Sequence, residues 1–111
     1  MLFRSQYRSE LYPFNCDFYI PSIDTYIEYN GSQYHHKHPF DENNEDDIKE
    51  LNRLKELEQE KLKTNKHTQY TFIIYTWTDL DIRKRKIAKE NNLNFIEFWS
   101  VQELKDWLDK Q

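Results

Sequence analysis

Two short segments rich in aromatic and β-branched residues, 14–20 (FNCDFYI) and 25–29 (TYIEY), are separated by the four residues Pro21-Ser22-Ile23-Asp24. Proline cannot donate to a sheet ladder, so Pro21 ends the first strand and the two segments are predicted to form a hairpin. With residues 21–24 as the loop, Ile20 faces Thr25, Tyr19 faces Tyr26, Phe18 faces Ile27, and Asp17 faces Glu28. Directly opposed residues hold their Cβ atoms roughly 4.5–5.5 Å apart, where two carboxylates repel unless a cation joins them. A divalent metal is the natural resolution. Mg²⁺ takes one or two carboxylates and leaves positions open for water and phosphate oxygens. The ordinary alternative is a slipped register, or a wet face on which both acids are solvated.

The rest of the chain is read around this hairpin. Residues 2–8 form a short strand or extended arm, and Asn30-Gly31 is a turn or bulge signal. Residues 31–41 show no period and are taken as a loop. From Asn43 to about Lys63 the pattern is helical, because Ile48, Leu51, Leu54 and Leu57 recur every three residues and Leu62 extends the stripe. Residues 70–75 (YTFIIY) are an apolar run of strand length. Thr76-Trp77-Thr78-Asp79 is then a junction, with Thr78 or Asp79 capping a helix that stops at Asn91-Asn92. Residues 93–99 (LNFIEFW) read as another strand. Ser100 and Glu103 form a capping box for a last helix whose apolar face is Val101, Leu104, Trp107 and Leu108. The predicted fold is α/β, a mixed sheet flanked by helices in a single domain over residues 1–111. The strand–helix–strand at 70–99 is read as a right-handed parallel crossover.

Composition removes several function classes. At 111 residues the chain can build one modest core, and 16% aromatic content argues against disorder. No apolar run approaches membrane-spanning length, and MLFRSQYRSE has no hydrophobic signal segment. The lone Cys16 excludes an internal disulfide and a multi-cysteine zinc site, and suits a reducing cytoplasm. The lone Gly31 excludes a P-loop and a GxGxxG turn. The net charge of −4 is unevenly spread. Residues 41–60 carry nine acids and three bases, whereas residues 61–89 carry eight bases and two acids. An acidic chain can thus still offer a basic face to a phosphate backbone.

Just after Glu28 come Asn30, Gly31, Ser32, Gln33, Tyr34, His35, His36, Lys37 and His38. Imidazoles of near-neutral pKa so close in sequence to paired carboxylates suit phosphodiester hydrolysis, which needs a metal to polarise phosphate and water and a base for the nucleophile.

Asp17, ten intervening residues and then Glu28-Tyr29-Asn30 resembles the PD-(D/E)xK nuclease core, with Asn30 where the motif has lysine. The segment from Tyr26 to His36 is similar to the metal-site segment of very-short-patch-repair endonucleases and related phage homing endonucleases. The segment Thr76-Trp77-Thr78-Asp79, the run Arg83-Lys84-Arg85-Lys86 and the stretch up to Phe98 are similar to phage-encoded endonuclease-like proteins that also carry NCDFYIP. This resemblance covers roughly residues 4–99. It implies a restriction-endonuclease-like fold and an Mg²⁺- or Mn²⁺-dependent DNA endonuclease. In it Asp17 and Glu28 hold metal with the Tyr29 carbonyl, and His35 is the general base with His36 in reserve. Gln33, Lys37, Arg83, Arg85, Lys86 and Lys89 would then position phosphate. The resemblance also calls for an acid on an N-terminal helix, for which Glu10, in an extended segment, is the candidate. Target choice would fall to a homodimer or a separate DNA-reading module.

Other residues carry ordinary readings. The 83–86 run spreads around a helix and is also what a solvated face looks like. Lys49 and Arg53 are candidates for the displaced motif cation, against simple helix-surface pairing with nearby glutamates. A zinc site from Cys16, His35, His36 and His38 is disfavoured, since adjacent strand side chains point apart. Trp77 is read as a cleft wall or core, and Cys16 as a small buried residue on the sheet face opposite Asp17. Two other functions compete. One is a non-catalytic domain of the same fold that binds nucleic acid or protein; the other is a small metal-independent RNase toxin.

Overall fold

The structure, a computed structural model, describes residues 2–31 and 34–111. The chain divides into two compact units. The first, here the sheet unit, joins Met1–Gly31 with Arg83–Gln111, and the second, the histidine unit, is Ser32–Ile82. The second is inserted in the sequence of the first. No helix among the described residues is long and apolar enough to cross a membrane.

In the sheet unit, strands β1 (Arg4–Tyr7), β2 (Cys16–Ile20), β3 (Thr25–Tyr29) and β4 (Asn94–Phe98) lie in the order β1-β2-β3-β4. The first three are antiparallel neighbours and β4 runs parallel to β3, so the sheet is mixed as expected. The hairpin register is the one read from the loop: Ile20 pairs Thr25, Tyr19 pairs Tyr26 and Phe18 pairs Ile27. Pro21–Ile23 form one 3₁₀ turn, closed by Asp24 in the left-handed region at φ 45°. Aspartate tolerates that conformation better than most residues.

Helix α3 (Asp81–Glu90) places Ala88 against buried Tyr12, Cys16 and Tyr26. Helix α4 (Val101–Asp109) places Leu104 and Trp107 against Ile20, Ile27 and Phe98. The expected Ser100 cap forms, and the return bond from Glu103 goes to the residue before it. Ser100 accepts the Glu103 N–H at 3.2 Å, and the Glu103 carboxylate accepts the Trp99 N–H at 2.6 Å.

Cys16 departs from the expected alternation. It packs with Tyr12 and Tyr26, the layer that also holds Tyr19, instead of with Phe18 and Ile27. The paired ladder ends at Phe18 opposite Ile27, and just beyond it side-chain hydrogen bonds replace backbone ones, so strict alternation lapses there. The Cys16 thiol donates to the Phe18 and Ile27 carbonyls at 3.2 and 3.3 Å. Burial, with the Glu28 charge adding to it, pushes its pKa up to about 12. Cys16 is therefore expected to resist alkylation by iodoacetamide at pH 8 in the folded chain, and to react fully in denaturant, as read by mass spectrometry.

In the histidine unit, helix α1 (Glu45–Leu62) starts where the Asn44 side chain accepts the Asp47 N–H. Helix α2 (Gln69–Tyr75) starts at Thr68, whose hydroxyl accepts the Tyr70 N–H. Thr76–Leu80 then wind as a π-helical turn leading into Asp81. The strand expected over 70–75 is thus a helix, and no helix begins at Thr78 or Asp79. Two forces override the β-propensity of this run. Thr68 caps the first turn, and helical spacing brings Ile73 and Trp77 onto one side to bury against Leu54. Thr78 donates back to the Ile74 carbonyl at 2.6 Å instead of capping. The parallel partner of β4 is consequently β3, not the 70–75 segment.

Candidate active site

In the sheet unit, the reciprocal bonds that follow the hairpin ladder bring Asp17 and Glu28 together. Glu28 Oε1 accepts the Asp17 N–H at 2.8 Å, and Asp17 Oδ2 accepts the Tyr29 N–H at 2.8 Å. Glu28 is buried and Asp17 half-buried. The expected apposition therefore stands as a carboxylate interlock in which each acid satisfies a main-chain N–H of the other strand. Tyr29, expected to contribute its carbonyl, is joined to Asp17 through its N–H.

The parallel strand adds a third acid, because Glu97 of β4 pairs in register with Glu28. Consecutive residues of α3 supply the counter-charges. Lys84 Nζ lies 2.8 Å from Glu28 Oε2, with only 15% of its side chain exposed and 4% of that of Glu28. Arg85 Nε bonds both oxygens of Glu97 at 3.0 and 2.8 Å. Tyr12, wholly buried, donates its hydroxyl to Glu28 Oε2 at 2.6 Å. Burial first, and the Glu28 charge second, push the Tyr12 hydroxyl far above its ordinary pKa, so it remains a donor. Asn30, at the motif-lysine position, is buried and donates its amide to Glu97 Oε1 at 2.7 Å.

These bonds bear on whether the site fits a divalent ion. Glu28 accepts three hydrogen bonds and Glu97 is engaged on both oxygens. Among the described residues, no three His, Cys, Asp or Glu side chains form a metal-holding group. Asp17 and Glu28 fit a two-carboxylate ion of the Mg²⁺ kind on condition that Lys84 leaves Glu28, one cation replacing another.

In the histidine unit, each of three imidazoles is joined to a carboxylate. His35 Nδ1 lies 2.5 Å from Oδ2 of buried Asp81, His36 Nε2 lies 3.1 Å from Glu50 Oε2, and His38 Nε2 lies 2.6 Å from Oδ1 of buried Asp47. The His36 ring stacks on Trp77 at 3.9 Å between centroids. Trp77 itself is buried, so it is core. Arg53 pairs with Glu50 at 2.5 and 2.9 Å, the helix-surface alternative to a displaced metal-site cation.

Asp47 is pushed up by burial, but the His38 hydrogen bond and the Asp41 N–H outweigh this and hold it below the usual carboxylate range. Glu50 is held low by the Arg53 hydrogen bond against burial, with His36 adding to it. Groups held low in the folded state stabilise it above about pH 4, and that stability is lost as pH falls through the lowered values. Thermal melts between pH 5 and 2.5 are expected to show this acid loss, reduced in Asp47→Asn.

Of the residues expected at phosphate, Lys37 is exposed, as are Arg83, Lys86 and Lys89 on α3. Arg83 has an interaction partner, and Lys86 lies 3.9 Å from Glu90. Arg85, expected there too, is half-buried and bonded to Glu97, beside Lys84 on Glu28. Gln33 lies outside the described residues. Glu10 falls on an exposed bend. Sequence reasoning missed Tyr12, Lys84 and Glu97 in the sheet unit, and Asp81 and Asp47 in the histidine unit. A charged pair at adjacent positions of the basic run was the one signal for Lys84. Glu97 had none without the β3–β4 register. Neither a family model, nor a curated protein, nor a solved structure matches this chain.

Proposed function

We propose that the chain is a restriction-endonuclease-like DNA endonuclease that hydrolyses phosphodiester bonds with Mg²⁺ or Mn²⁺. The observation that carries this reading is the interlocked Asp17–Glu28 pair with Lys84 against it. Asp17 and Glu28, with the Tyr29 carbonyl, would hold the ion. When bound, the ion supplies positive charge to a phosphate oxygen and lowers the pKa of water. Lys84 provides the ammonium that Asn30 does not, and once freed from Glu28 it would be a cation for a phosphate. Tyr12 keeps Glu28 oriented throughout, while Asn30 and Arg85 keep Glu97 in place. His35 as general base, with His36 in reserve, enters from the motif resemblance alone. Lys37, Arg83, Lys86, Lys89 and Gln33 are assigned to the DNA backbone on the same footing.

The test is nicking of supercoiled plasmid with Mg²⁺ or Mn²⁺, alongside thermal melts. Metal is expected to support nicking that EDTA stops, and to raise the melting temperature by mass action, worth about 2.7 kcal/mol at a hundredfold excess over Kd. Absence of both nicking and a metal-dependent melting shift would overturn the reading. The saturation of Glu28 by Asp17, Tyr12 and Lys84 favours one competitor, a non-catalytic domain in which these charges only hold the sheet to α3.

A further inference from the structure

The proposed DNA reaction leaves His38 without a role, yet His38 is the most open of the three imidazoles. Its side chain is 55% exposed, against 20% for His35 and 16% for His36. It is also fixed at two points. Its Nε2 meets Asp47 Oδ1 at 2.6 Å, and its carbonyl accepts the Trp77 indole N–H at 3.1 Å. Asp47 is rigid in turn: its Oδ2 accepts the Asp41 N–H at 2.9 Å, and its own N–H donates to the Asn44 cap at 3.0 Å. An ionised carboxylate only accepts, so in the neutral ring the proton sits on Nε2 and the lone pair on Nδ1 of an exposed side chain. The π-helical turn at Thr76–Leu80 places Trp77 for this, and such turns recur at functional sites.

We propose that His38, oriented by Asp47, is the general base of a metal-independent site that cleaves RNA. An oriented imidazole without a metal suffices where the substrate carries its own nucleophile, and the ribose 2′-hydroxyl is one. Nδ1 takes the 2′-hydroxyl proton as the 2′-oxygen bonds to phosphorus. The bond from phosphorus to the 5′-oxygen breaks, and water protonates the departing 5′-oxygen. The products are a 2′,3′-cyclic phosphate and a 5′-hydroxyl, and the imidazolium returns its proton to the hydroxide left behind. The neighbouring Lys37 ammonium, exposed in the same segment, offers charge to the phosphate.

The test incubates the full chain in EDTA with a single-stranded RNA and with DNA of the same sequence. The expected result is RNA fragments ending in 2′,3′-cyclic phosphate, identified by mass spectrometry, with the DNA intact. His38→Gln keeps an amide donor for Asp47 and has no basic nitrogen. It is expected to retain the wild-type melting temperature and lose cleavage by ~10²-fold or more. Intact RNA with wild-type protein, cleavage only with Mg²⁺, or cleavage by His38→Gln at the wild-type rate would each overturn the proposal. Plasmid nicking in Mg²⁺ is a separate readout, so failure of either site is seen independently of the other.

Discussion

Asp17→Asn is expected to lower metal-dependent plasmid nicking by ~10³-fold, equivalent to about 4 kcal/mol of transition-state stabilisation, while the protein stays folded. The amide oxygen of the new side chain can still accept the Tyr29 N–H that Asp17 Oδ2 holds at 2.8 Å. The interlock between β2 and β3 therefore survives, and only the charge is lost. Losing it also removes a repulsion beside buried Glu28, so thermal stability should be unchanged or slightly higher. The metal-induced rise in melting temperature should shrink together with nicking. If Asp17→Asn nicks as fast as wild type, Asp17 is not a metal ligand and the competing non-catalytic reading gains the sheet unit.

Lys84→Met is expected to cost stability heavily, by about 3–5 kcal/mol, because it leaves the Glu28 charge buried without its cation. Tyr12 and the Asp17 N–H would still donate to Glu28, but neither carries charge. The double variant Lys84→Met with Glu28→Gln should recover most of the loss, since no buried charge then lacks a partner. Urea denaturation followed by far-UV circular dichroism measures all three proteins. A small effect of Lys84→Met alone would mean that Glu28 is more hydrated than its 4% side-chain exposure implies. Both readings of the sheet unit share this prediction, since each needs Lys84 as the resident counter-charge. Only the catalytic reading also predicts loss of nicking in the double variant.

These two experiments depend on features of different legibility. Asp17 and Glu28 were readable as a pair because a four-residue loop after Pro21 sets hairpin register locally, and the ladder follows that register. The α1 and α4 helices were readable for the same reason, since the three-residue apolar spacing of α1 and the Ser100 cap with the apolar face of α4 are all local signals. The segment 70–75 was not. Its residues favour a strand by propensity, and the Thr68 cap together with burial of Ile73 and Trp77 against Leu54 makes it a helix.

What the sequence determined by itself was the hairpin, its register and the acids that register brings abreast, because those depend on contacts a few residues apart. What only the tertiary structure decided was which cation meets them. Lys84 and Glu28 are 56 residues apart. Their meeting depends on the β3–β4 pairing and on the side of α3 turned to the sheet, and long-range packing fixes both. The carboxylates of the histidine segment were decided in the same way, because Asp81, Glu50 and Asp47 reach it only once the helices that carry them have packed.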